Sequence, residues 1–155
     1  MNSADRVGGW KNQYARMRRW GTRAITALSD LPRTDFHTAS DTTLAYFVWC
    51  HSLRDWLIKD NALTAEQVNI QLRKHSTWKM VRDLANRSKH LTITQNPTDS
   101  EWSVAREYDP FALLIEGRER HHLNLYFQGQ KYRLAQVVTD SDDMWRQVLS
   151  DTNMV

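Results

Sequence analysis

Cysteine is nearly absent from this chain. Cys50 is the only one among 155 residues, so no internal disulfide can staple the fold. Stability must come from a packed core, and one free thiol fits a reducing compartment. Glycine and proline are scarce as well, at five and three residues, which excludes collagen-like and low-complexity chains. No apolar run reaches the roughly 18 residues that a membrane span needs. The first twenty residues, MNSADRVGGWKNQYARMRRW, lack the apolar stretch of a secretory signal. The expected location is therefore the cytoplasm, with no membrane among the partners.

What is present is apolar and aromatic. Hydrophobic residues make up 41% of the chain against 25% charged, too apolar a balance for a chain that stays disordered. The length suits a single domain, 1–155, with one continuous core. Residues 1–9 read as a loose lead-in. Trp10, Tyr14, Met17, Ala24, Ile25 and Leu28 recur at helical spacing and predict a first helix to Ser29, stopped by Leu31-Pro32. Arg33 to Ala39 reads as loop. A second helix is expected from Ser40 or Asp41 to Lys59, apolar nearly all round through Leu44, Phe47, Trp49, Cys50 and Leu53, as a central helix should be. Thr64 to Gln67 carries a capping-box signal for a short third helix. A fourth runs from Ser76 to His90, with Trp78, Val81, Leu84, Ala85 and Ser88 on its inner side.

The pattern changes after Leu91. Leu91 to Thr94 alternates, and Trp102 to Tyr108 reads as a strand. Phe111 to Ile115 and His122 to Gln128 read as paired strands, and Lys131 to Val138 as a further one. Asp140-Ser141-Asp142 is placed to cap a last helix bearing Met144, Trp145, Val148 and Leu149. The expected fold is α+β, mainly α: a bundle of four helices over 10–90, a small antiparallel β region over 91–138, and a C-terminal helix over 141–152. IEGR at Ile115–Arg118 and NLYFQG at Asn124–Gly129 look like protease-recognition strings, but both lie inside the alternating pattern and are read as native hairpin sequence.

Net charge is only +3, yet its distribution is uneven. Lys11, Arg16, Arg18, Arg19 and Arg23 fall in one stretch without an acid, interleaved with Tyr14 and Trp20. Such a face can neutralise phosphates and stack bases; it can equally be a solvated helix face with its aromatics turned inward. Arg82, Asn86 and His90, spaced i, i+4 and i+8, climb one face of the fourth helix, with Asp83 between them at its edge. Histidine is suited to general acid–base work near neutral pH. A neighbouring Arg82 or Lys89 can stabilise phosphorane-like charge without a metal. That set suits RNA cleavage by its own 2′-hydroxyl, and His51, Arg54 and Asp55 of the second helix can add to the same cleft.

A long apolar helix followed by one ending in Asn86-x-x-x-His90 resembles the HEPN superfamily of helical bundles, over residues 40–95. The resemblance implies metal-independent ribonucleases of toxin–antitoxin, CRISPR and phage-defence systems, or inactive binding relatives, commonly with the site shared across a homodimer. By that resemblance His90 is the general acid or base and Asn86 orients the phosphate or substrate. Ala85 stands where the family carries an arginine, so Arg82, one turn earlier, is the expected charge stabiliser, and Asp83 orients His90 or Arg82. The alternative is a non-enzymatic interaction module with an aromatic-rich binding surface. No cofactor is expected, and no metal: the adjacent His121 and His122 point to opposite faces of a strand. Cys50 reads as packing.

Overall fold

The computed structural model describes residues 8–89 and 97–155. The described chain is mainly helical, with six helices and one three-stranded antiparallel sheet. Helix α1 spans Gly9–Ser29, α2 Phe36–Lys59, α3 Ala65–Leu72 and α4 Thr77–Lys89; β1 spans Ser103–Asp109, α5 Ala112–Glu116, β2 Arg120–Phe127, β3 Gln130–Arg133, and α6 Leu134–Asp151. Among the described residues no helix is long and apolar enough to cross a membrane.

Local chemistry explains the boundaries. Helix α2 starts at Phe36 rather than Ser40, because Asp35 caps it: one carboxylate oxygen accepts from the Thr38 amide at 2.9 Å and the other from its hydroxyl at 2.6 Å. The Thr64–Gln67 capping box forms in both directions. Phe111 to Ile115, expected as a strand, is instead the helical turn α5. Asp109 accepts from the Phe111 amide at 3.0 Å, and Gly117 closes the turn at φ 69°. A short apolar run carries no period long enough to tell the two apart.

Lys131 to Val138 is likewise not one strand. Strand β3 stops at Arg133 and α6 begins at Leu134, well before Asp140. The reason lies in Leu134, Val137, Val138, Ser141, Met144 and Trp145, all buried at spacings of three and four, which is helical phasing. The β region therefore ends at Arg133 and contains a helix. Strand β2 pairs with β1 and β3 on its two sides; Asn124 faces Ala105 across one ladder and Arg133 across the other. Gln128 and Gly129, both at positive φ, make the two-residue turn that joins β2 to β3. The NLYFQG string thus runs through β2 and this turn, with Asn124, Leu125 and Phe127 buried.

One contiguous core joins α1, α2, α3, α4, α6 and β2. Trp145 sits within it, fully buried, and donates from Nε1 to the Cys50 carbonyl at 2.9 Å. Cys50 packs beside it, and burial pushes its thiol pKa up to about 12. Helix α1 approaches α2 at Gly21, where an added Cβ would stand 3.1 Å from the Tyr46 ring. Helices α2 and α4 pack against each other, and Leu53 of α2 and Val81 and Leu84 of α4 are buried in this core. Trp49 is only half-buried, with the Arg16 guanidinium of α1 5.3 Å from its ring centroid.

Candidate functional site

The expected cleft between α2 and α4 is built outward from the core. Trp78, at the start of α4, meets Trp145 edge to face at 5.9 Å. On its open side the His51 imidazole lies nearly parallel to the Trp78 indole, with centroids 5.3 Å apart and planes at 16°. Burial pushes the pKa of His51 down to about 4. The charge of Lys89 adds to the shift, Arg54 and Arg82 push the same way, and Asp55 opposes them. The helices therefore bring Arg54, Asp55, Arg82 and Lys89 within electrostatic reach of His51. The imidazole is neutral at pH 7, and cations outnumber acids around it.

Arg54 is held in place: Nε donates to the Asn69 side chain on α3 at 2.7 Å, and Nη1 meets Asp55 at 3.0 Å. Lys89 is exposed and Asn86 half-buried. His90 lies outside the described residues, as does the alternating stretch Leu91 to Thr94.

Asp83 is a correction. The helical wheel puts it on the solvated side, yet it is fully buried. One of its oxygens accepts from the Asp99 amide at 2.7 Å and the other faces Arg82 Nε at 3.3 Å. Arg82 also donates from Nη2 to the Thr98 hydroxyl at 2.6 Å. Asp99 in turn accepts from the Gln128 amide at 2.6 Å, carrying the chain of bonds to the β2–β3 turn. Arg87 joins the same work, reaching the Trp102 carbonyl at 3.0 Å with its guanidinium over that indole at 5.1 Å. Arg82, Asp83 and Arg87 thus bind segment 97–102 to α4. A wheel cannot show this, because the partner covering that face comes from later in the chain. Ser88, expected inward, turns out, and its hydroxyl bonds back to the Leu84 carbonyl at 2.6 Å.

The basic residues of α1 all lie on its outer side. Arg16 reaches Gln13 at 2.5 Å as well as Trp49; Arg18 lies 5.9 Å from the Tyr14 centroid and 3.6 Å from Asp142; Arg23 covers Trp20 at 4.9 Å. Lys11 stands 5.8 Å from Trp10, and Arg19 is exposed between the two edges. The interleaving legible in the sequence is therefore physical: four of the five cations lie over rings. Asp142 of α6 neutralises Arg18 only in part, since Arg146 shares that carboxylate at 3.0 Å.

Among the described residues no group of three or more histidine, cysteine, aspartate or glutamate side chains could hold a metal ion. No family model, curated protein or solved structure matches the chain.

Proposed function

We propose that this chain is a HEPN-like RNA-binding module whose contact surface is the seam between α2 and α4. The observation that carries the reading is the His51–Trp78 ring pair, with Lys89, Arg54 and Arg82 around it and Asp55 the opposing charge. Cations beside an aromatic platform attract a phosphate backbone and leave a neutral imidazole to hydrogen-bond sugar or base. The outer face of α1, with Lys11, Arg16, Arg18, Arg19 and Arg23, is a second electrostatic surface.

Binding is favoured over cleavage because Asp83 and Arg82 bond to segment 97–102. Cleavage would fall chiefly to Asn86 and His90, the two positions that match the family motif. It would proceed in EDTA and leave a 2′,3′-cyclic phosphate.

The test is equilibrium binding of single-stranded RNA to the full chain across a salt series, beside single-turnover incubation in EDTA. Lys89→Glu should weaken binding about tenfold and lessen its salt dependence by roughly one counterion, with unchanged folding. Cleavage that continues in EDTA and is lost in His90→Ala would make the module an enzyme. RNA affinity that is undetectable at low salt, or identical in Lys89→Glu, overturns the assignment.

A further inference from the structure

The connection between β1 and β2 leaves large apolar side chains in water: Phe111 is 65% exposed, Leu113 54%, Leu114 82% and Ile115 81%. Helix α5, which carries three of them, has no extensive contact with any other element, and Ala112 is its only buried residue. Leu113, Leu114 and Ile115 are consecutive, so they point about 100° apart and cover more than one side of the turn. A turn that is apolar over most of its circumference suits an apolar medium that can close around it.

We propose that this tip inserts into the outer layer of a lipid bilayer, without crossing it. Three observations favour lipid over a second copy of the chain. The four large apolar side chains are all more than half exposed and nearly consecutive, so they form one contiguous patch of the kind that marks an interaction site. A two-fold contact through this turn would cover only one side of it and leave the other apolar side chains in water, too small a contact to approach the roughly 800 Å² per partner of a stable interface. The five residues of α5 rise about 7.5 Å, which matches the insertion depth of interfacial segments.

The root of the tip carries three acids, Asp109, Glu116 and Glu119, against two arginines, Arg118 and Arg120, with two imidazoles beside the acids. Glu116 takes Arg118 at 3.4 Å and Arg120 at 2.9 Å, Asp109 meets His122 at 3.3 Å, and Glu119 meets His121 at 2.6 Å. That root leaves no surplus of positive charge for anionic headgroups. Insertion is therefore driven by the apolar side chains, takes zwitterionic lipid as readily as anionic lipid, and survives high salt.

The experiment is co-sedimentation of the full chain with phosphatidylcholine vesicles, with and without phosphatidylserine, at low and high salt. The wild type should pellet with both compositions at both salt levels. The double variant Leu114→Ser/Ile115→Ser should lose partitioning about tenfold or more, with unchanged melting temperature because neither side chain packs in the core. Sedimentation equilibrium of both proteins without vesicles tests the competing occupant. Failure of the wild type to pellet overturns the proposal, as does equal pelleting of the variant. So does binding confined to anionic vesicles at low salt, which would belong to the basic face of α1. A self-association that the variant abolishes would assign the tip to a second copy instead.

Discussion

His51 and Trp78 lie ring on ring, 5.3 Å between centroids, and so tie the middle of α2 to the start of α4. The stack holds the imidazole where burial and nearby cations keep it neutral, with its pKa pushed down to about 4 from the ordinary 6.5. Between those two values the unfolded chain binds a proton that the folded chain does not. Stability therefore rises with pH across that window and is lost as the solution is acidified from about 6.5 toward 4. The full displacement corresponds to about 3 kcal/mol. His51→Phe keeps the ring but cannot titrate, so its urea unfolding energy should change less over the window. Identical pH profiles for the two proteins would show that His51 is not held neutral.

Asp83 is the acceptor that fastens segment 97–102 to α4. Asp83→Ala leaves the Asp99 amide without this acceptor and Arg82 without its carboxylate, and should cost about 3 kcal/mol or more. Asp83→Asn, which keeps a side-chain oxygen, should cost less. Equilibrium unfolding measures both, and a cycle with Arg82→Ala should return a coupling of about 1 kcal/mol or more. A loss below about 0.5 kcal/mol in Asp83→Ala would mean that the segment is held by other groups.

Gly21 lies where α1 packs against the Tyr46 ring of α2. Alanine there gains about 1 kcal/mol of helix propensity, but its methyl would press on Tyr46, a ring that is fully buried and bonded through its hydroxyl to the Val138 carbonyl at 3.2 Å. The ring has little room to give, so Gly21→Ala should be destabilising by about 1 kcal/mol net and Gly21→Leu by far more. A more stable Gly21→Ala protein in thermal unfolding would contradict the close packing.

The cations of α1 should separate in their effects. Arg19 is exposed, so Arg19→Glu should weaken RNA binding and its salt dependence while leaving the melting temperature alone. Arg16 lies over Trp49 and bonds Gln13, so Arg16→Glu should also lower stability, by about 1 kcal/mol. Equal melting temperatures for the two variants would argue against the Arg16–Trp49 contact.

Much of this fold was legible from one-dimensional pattern. The 3.6-residue recurrence from Trp10 to Leu28 specified α1, and Thr64 with Gln67 specified the start of α3, because caps and periodicity are local. The α+β class followed from the shift in pattern after the fourth helix. Val81 and Leu84, read as the inner side of the fourth helix, and Leu53 of the second are buried in the core, and the contact between the two helices brings His51 beside Trp78.

Other features depended on partners distant in sequence. Lys131 to Leu134 alternates like a strand and Val137-Val138 is β-branched, and only the burial of Leu134, Val137, Val138 and Ser141 along one line made the second part of that run helix. Phe111 to Ile115 is too short for its period to decide anything, and Asp109 and Gly117 bounded it as a turn. Asp83 is polar and lies beside solvated neighbours, yet Thr98 and Asp99 fold over it and make it an interior acceptor. Periodicity states which side chains share a face of an element, because helix and strand geometry are local. What covers that face is settled by desolvation and hydrogen bonding between segments brought together in space, and a helical wheel carries no information about those partners.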